Sequence, residues 1–328
     1  MNVAALPSIA EIRRAAAEVY AVMPATPQYA WPLLAERAGC DELWVKHENH
    51  TPLGAFKVRG GVSYFNRLHE RGDVRGVVCA TRGNHGRSIA FNARRTGLEA
   101  TIVVPHGNSR EQNAAMRSYG ARVVEFGEDF QAALERAREI GGRESLHFVP
   151  SFDMALFCGV ASYALEFFTA APALDAVYVP VGLGSGLAAT LAARDGLGLD
   201  TEVVAVVAGG APAYALSIEV GRLISAPVST FADGMACRTP NPEALAIFLT
   251  AGVRCVRVSD AQIAEAMRLY FSATHNVAEG AGAASLAAAL ADGPARRGRI
   301  GVVLSGGNID RDRYARILSD HPAEPNSR

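Results

Sequence analysis

The sequence predicts an α/β protein whose parallel sheets are flanked by helices, and three observations carry that prediction. Short apolar runs such as Gly76–Ala80, Ala100–Val104, Ala176–Val181 and Ile300–Leu304 recur along the chain. Segments of helical periodicity, about ten to fifteen residues long, separate them, which is the spacing of right-handed βαβ crossovers. Glycine-rich turns follow several of the apolar runs, where the ends of parallel strands line ligand crevices. With 328 residues the chain has length for about two domains. It shows no solenoid repeat and no low-complexity linker, so two lobes are expected to be interwoven rather than strung in series.

In order, residues 8–22 have a helical pattern opening near Ser8, and the proline-rich segment 24–40 cannot continue it and reads as a lead-in loop. Leu43–Lys46 is a short strand. The pattern after Lys57 returns to helix and stops at Gly72. Strand 76–80, helix 86–96, strand 100–104, helix 109–119, strand 122–125, helix 128–140 and a weaker strand at 147–149 follow. The second half repeats the alternation: helix 154–169, strand 176–181, a helix to about Arg194, strand 203–207, helix 241–250, strand 254–258, helices 260–274 and 281–290, and strand 300–304. From His321 the tail is polar and expected to fray.

Composition excludes several function classes. Lys and Arg number 32 against 33 Asp and Glu, a formal net charge of −1, with no run of one sign that would suit nucleic acid or an anionic membrane. No apolar run approaches the roughly 20 residues that span a bilayer, and the N-terminus lacks the basic start and apolar stretch of a secretion signal. Five cysteines without a CxxC pair read as reduced thiols in a cytoplasmic protein, not as a disulfide frame or zinc site. His47, His50, His106 and His275 have no metal-ligand spacing, and no metal is expected.

Chemistry concentrates in four stretches. Lys57 follows Phe56 and precedes Arg59 and two glycines. A lysine at a loop-to-helix junction is by default solvated, whereas a Schiff-base lysine needs a desolvated amine whose lowered pKa leaves it neutral near pH 7. Gly182–Gly186 (GLGSG) joins a strand to a helix, and its amides suit an anion without side-chain charge. It matches neither the dinucleotide nor the Walker spacing, and alone it is equally a tight turn. Thr81–His85 also joins a strand to a helix. Asn84 there either bonds a ring oxygen or caps the helix, while the turn amides could hold a substrate carboxylate. Ser305–Asn308 (SGGN) closes the last strand.

Taken together and in order, FKxRG, GNHG, GLGSG and SGGN strongly resemble the fold type II family of pyridoxal-phosphate enzymes, in its threonine dehydratase and serine racemase branch, over about residues 43–310. The resemblance implies a two-lobed, tryptophan synthase β-like fold. A small lobe would run over 67–152 and a large cofactor-binding lobe over 1–66 and 153–328. It implies that Lys57 holds pyridoxal 5'-phosphate as a Schiff base and then moves the Cα proton. Phe56 would pack beside the cofactor, Asn84 would bond its ring oxygen, and Gly182, Leu183, Gly184, Ser185, Gly186 and Leu187 would hold its phosphate. Glu279 would lie near the ring and Ser305 would meet the pyridine nitrogen. Thr81, Arg82, Gly83, Asn84 and His85 would contact substrate. The implied reaction is dehydration and deamination of threonine, serine or a bulkier aryl-serine to a 2-oxo acid and ammonia. β-Replacement or racemisation on the same scaffold is the alternative. The resemblance implies a homodimer or homotetramer, and with the chain ending soon after Ser305 the C-terminal regulatory domain of biosynthetic threonine dehydratases is not expected.

The sequence departs from the family pattern at three points. Arg82 stands where dehydratases have a small residue and racemases a proton-donating serine, so it either binds a second polar group of substrate or turns to the lobe interface. Gly54 and Ala55 replace serines, which would widen the pocket, and residues 207–209 lack a familiar glutamate. Asp233, in FADGMA, resembles part of a divalent-cation site in some relatives, but one carboxylate is too few to make a metal site.

Overall fold

The computed structural model describes residues 6–293 and 298–319, so the tail from His321 lies outside the described residues. Helix α1 (Ile9–Tyr20) begins at Ser8, whose hydroxyl accepts from the Glu11 amide while the Glu11 carboxylate accepts from the Ser8 amide, a reciprocal capping box. The expected loop over 24–40 instead holds strand β1 (Gln28–Ala30) and helix α2 (Pro32–Ala38). Pro32 occupies the first turn of α2, where a missing amide costs no hydrogen bond. Gly39, at φ 69°, ends that helix in the left-handed conformation.

Strand β2 (Glu42–His47) leads through a short helical turn to α3 (Lys57–Arg71). Then come β3 (Gly76–Ala80), α4 (Asn84–Thr96), β4 (Glu99–Val104), α5 (Arg110–Ser118), β5 (Arg122–Glu125), α6 (Phe130–Glu144) and β6 (His147–Phe148). These four later strands form one parallel sheet in the order β5-β4-β3-β6. Val77 and Cys79 of β3 pack with Ile89, Ala93 and Met116 on one face, and Val78 and Ala80 with Ala133, Ala137 and Ile140 on the other. Helices on both faces account for strands that read as unbroken apolar runs.

The rest of the chain supplies α7 (Met154–Ala170), β7 (Ala176–Pro180), α8 (Ser185–Gly196), β8 (Glu202–Ala208), α9 (Ala213–Val220), α10 (Pro242–Thr250), β9 (Cys255–Val258), α11 (Asp260–Thr274), α12 (Gly280–Asp292), β10 (Arg299–Leu304) and α13 (Arg311–Ser319). The second sheet runs β1-β2-β10-β7-β8-β9, parallel except for β1. The last strand, β10, lies between β2 and β7, so the N-terminal segment and the C-terminal half share one sheet. Helices α7 and α8 cover one face of it, and α11 and α12 the other.

One connection fixes the start of α3. The Phe56 amide donates to Ser305 O at 3.1 Å, and Ala55 bridges Gly306. Lys57 is thereby set beside the carboxyl end of β10. No helix among the described residues is long and apolar enough to cross a membrane.

Candidate active site

Lys57 is the first residue of α3. Its Nζ donates to Ser185 Oγ at 3.0 Å and lies 4.9 Å from the centroid of the Phe56 ring. Phe56 in turn meets Tyr163 edge-on. No carboxylate among the described residues pairs with the amine, and burial pulls its pKa from 10.5 to about 8. Behind it a small cavity is lined by Lys57, Gly60, His85, Ser151, Leu156, Val160 and Ser185. His85 is buried there with Nε2 unmatched, and burial and the Lys57 charge push its pKa down to about 3. The imidazole is therefore neutral and lines the same small cavity as the lysine.

Ser185 opens α8 immediately after the glycine turn. The first helical hydrogen bond runs from the Ala188 amide to Gly184 O at 3.0 Å, which leaves the amides of Ser185, Gly186 and Leu187 without helical acceptors. Those of Leu183 and Gly184 also find no acceptor among the described residues. Two of its three glycines cannot be replaced by residues with side chains. A Cβ on Gly182 would lie 2.1 Å from Gly234 O. Gly184 has φ +99°, and a Cβ there would lie 2.7 Å from Ala244 Cβ. Converging free amides at a helix N-terminus, with a neutral-prone amine 3.0 Å from the first helical side chain, fit a phosphate joined to an aldehyde-bearing ring.

Across this turn the two sheets are tied by amide side chains. Asn84 does not cap α4; Gly83 is the capping residue. Asn84 Nδ2 donates to Glu279 Oε1 at 2.7 Å, and Asn308 Nδ2 donates to Asn84 Oδ1 at 2.8 Å and Leu53 O at 2.7 Å. Glu279 caps α12, and burial raises its carboxyl to about 7 against the lowering hydrogen bond from Asn84. Ser305 is buried at the end of β10. Thr81 Oγ1 accepts from the Gly83 and Gly86 amides, so that hydroxyl shapes the turn. Arg82 reaches across the cleft to Asp233, 3.6 Å away, with its side chain 40% exposed. Asp233 also meets Arg313 at 3.2 Å, and the described residues contain no cluster of three or more metal-ligating side chains. The expected widening at Gly54 does not occur, because a Cβ there would lie 2.6 Å from Asn308 Oδ1, which fills that space.

Residues 22–306 match the family described as pyridoxal-phosphate dependent enzyme. The chain belongs to that family. Its cofactor is pyridoxal phosphate. It is 32% identical to an L-threonine ammonia-lyase of Thermotoga maritima, over 88% of this chain and 72% of that protein. It is 29% identical to an L-threo-3-hydroxyaspartate ammonia-lyase of a Pseudomonas species, over 95% of this chain and 99% of that protein. Among solved structures, a threonine deaminase from Solanum lycopersicum superposes with a TM-score of 0.87 at 25% identity, over 95% of this chain and 94% of that one.

This pyridoxal-phosphate enzyme also uses residues that the sequence did not single out. Arg59, two positions after Lys57, is fully buried. Its Nε donates to Glu48 Oε2 at 2.7 Å, and its Nη1 donates to Glu166 Oε1 at 2.6 Å. Lys46 Nζ donates to Glu166 Oε2 at 2.6 Å, and Thr26 Oγ1 donates to Glu48 Oε1 at 2.5 Å. Burial works to raise Glu166, yet Arg59 and Lys46 hold its carboxyl below the usual value. The arginine of the FKxRG motif thus anchors the first turn of α3 to β2's end and to α7. The only sequence signal was its presence in that motif.

Proposed function

We propose that this enzyme eliminates water from a 3-hydroxy amino acid and releases the corresponding 2-oxo acid and ammonia, with Lys57 carrying the Cα proton. The observation that carries the reading is the Lys57 amine. It is half-buried, free of any carboxylate among the described residues, shifted to about 8, and 3.0 Å from Ser185 at the mouth of the free amides. When bound, pyridoxal phosphate supplies the electron sink that makes the Cα proton removable. The amides of 183–187 would hold its phosphate, Phe56 would form one wall, and Asn84 and Glu279 would meet the ring substituents. Ser305, a hydroxyl and not a carboxylate, would meet the ring nitrogen and leave the sink weak, which suits a reaction in which a β-leaving group takes the electrons. In the turn 81–85 the amides of Thr81 and Gly83 are taken by Val103 O and Thr81 Oγ1, so those of Arg82, Asn84 and His85 would meet the substrate carboxylate.

Racemisation needs a second proton donor on the face of Cα opposite Lys57. Arg82, at the position where racemases carry a proton-donating serine, is turned toward Asp233. That supports elimination. In this reading the small lobe, 67–152, closes on the large lobe, 1–66 and 153–328, through Asn84, Asn308 and Glu279, and the protein works in the cytoplasm as a homodimer or homotetramer. Candidate substrates are threonine, serine and, by similarity to the Pseudomonas relative, an acidic 3-hydroxy amino acid. Asn308 beside Gly54 argues against an aryl side chain on that wall. A panel of 3-hydroxy amino acids assayed for 2-oxo acid release tests the proposal. Release that disappears in Lys57→Ala is expected. A protein that holds its cofactor on Lys57 yet releases no oxo acid from any member would refute it.

A further inference from the structure

The reaction above gives the His85 side chain nothing to do, although it lines the Lys57 cavity. His85 is the second residue of α4, and Ser88, three positions on, shares its face of that helix. Ser88 Oγ donates to Lys57 O at 2.8 Å, so this face of α4 lies against the first turn of α3. The imidazole hydrogen-bonds the Val149 carbonyl, while its Nε2 is buried and unmatched. The nitrogen that meets Val149 is therefore Nδ1, which carries the proton, and Nε2 is left as an acceptor.

A buried acceptor without a donor is costly, and few donors are at hand. The cavity that His85 shares with Lys57 and Ser185 has a volume of about 10 Å³, room for one water molecule. Ser151 and Ser185 bring hydroxyls to it, and the rest of its wall is apolar or glycine. The charged and titratable groups of the surrounding helices are engaged elsewhere. Arg59 of α3 is bound to Glu48 and to Glu166 of α7, Tyr163 of α7 donates to Gly186 O, and Glu279 beside α12 is held by Asn84. Burial alone moves the Lys57 amine. Its acceptors are therefore Ser185 Oγ, already bonded, and His85 Nε2 across the cavity.

Resting on the elimination reading above, we propose that His85 is a positioning residue for Lys57: through one water molecule in the shared cavity, its Nε2 supports the ammonium that forms when Lys57 takes the Cα proton. Ser185 Oγ and the water then hold two of the three N–H bonds of that ammonium. The proton stays on Lys57. An imidazole held at about 3 does not take it from an amine at about 8, so His85 is not a base in the reaction.

The test follows by absorbance how fast the cofactor-free protein captures pyridoxal 5'-phosphate on Lys57, as a function of pH, in wild type, His85→Phe, His85→Leu and His85→Gln. Capture needs the neutral amine. Phe and Leu both remove the acceptor, so one of them failing to fold does not end the test, and Gln can offer Oε1 where Nε2 stood. All three give up the Val149 bond. Without the acceptor the capture midpoint is expected about one pH unit lower, which makes capture at neutral pH about fivefold faster. General damage to the site would slow it. The same variants should lose about tenfold in kcat on L-serine with KM little changed, and Gln should recover part of both effects. A midpoint in the apolar variants at or above that of wild type would overturn the role of His85, and so would a Gln variant no closer to wild type than they are. A wild type that captures the cofactor yet releases no oxo acid from any 3-hydroxy amino acid would remove the elimination reading, while the midpoints still decide whether His85 supports the lysine.

Discussion

Replacing Lys57 by methionine should stabilise the cofactor-free protein at neutral pH and lose that advantage in alkali. The amine titrates at about 8 in the folded chain against 10.5 when free, because burial penalises the ammonium. At about 1.4 kcal/mol per pH unit, that gap is a penalty of about 3 kcal/mol. The folded state binds fewer protons than the unfolded one, so stability rises with pH across the window from about 8 to 10.5. Methionine removes the titration, keeps the volume, and forfeits the hydrogen bond to Ser185, worth about 1 kcal/mol. That last loss is constant with pH. Linkage then predicts that the stability difference, variant minus wild type, falls by about 2 kcal/mol between about pH 7 and about pH 9.5. Urea unfolding of the two apoproteins across that range measures it. His85, at about 3, stays neutral throughout, and Glu279, at about 7, titrates in both proteins and cancels in the difference. A difference that stays flat across the window would mean the amine is solvated in the folded state and would undo the argument built on it.

Two further outcomes follow from the same geometry. Gly184→Ala puts a Cβ 2.7 Å from Ala244 Cβ at φ +99°, so it should weaken cofactor retention on dialysis severalfold. Gly198→Ala, also at positive φ but with open space around its Cβ, should cost only about 1–2 kcal/mol of backbone strain and leave retention unchanged. Arg59→Met leaves the Glu48 and Glu166 carboxylates buried without their guanidinium, at a cost of about 3–5 kcal/mol. Because Glu166 is held below its usual pKa in wild type, its contribution is present above the unfolded value and is lost as pH falls through the folded one. The thermal-denaturation deficit of Arg59→Met should therefore shrink toward acid.

The parallel sheets were legible because crossover helices bury both faces of each strand and leave apolar runs with few polar interruptions. Elements that bury little escaped. Strand β1 has three residues, one half-buried and two exposed, and α13 has no buried residue, so neither imposes a periodic apolar stripe. Helix α2 was hidden by prolines that in fact open it. Lys57 was legible from its motif, but its surroundings were not, since the groups that position it come from far along the chain: Glu166 is 120 residues from Lys46 and 107 from Arg59. The pairing of Asn84 with Glu279 spans 195 residues.

The boundary of α4 shows how a small local error hides a functional relation. Read from periodicity, the helix starts at Gly86 and the turn before it leaves Arg82 either to contact substrate or to turn to the lobe interface. In the structure it starts at Asn84, because Gly83 supplies the cap and Thr81 Oγ1 ties down the Gly83 and Gly86 amides. Two residues of extra helix carry Arg82 out toward Asp233 and bring Asn84 and Arg87 onto one face, one turn apart.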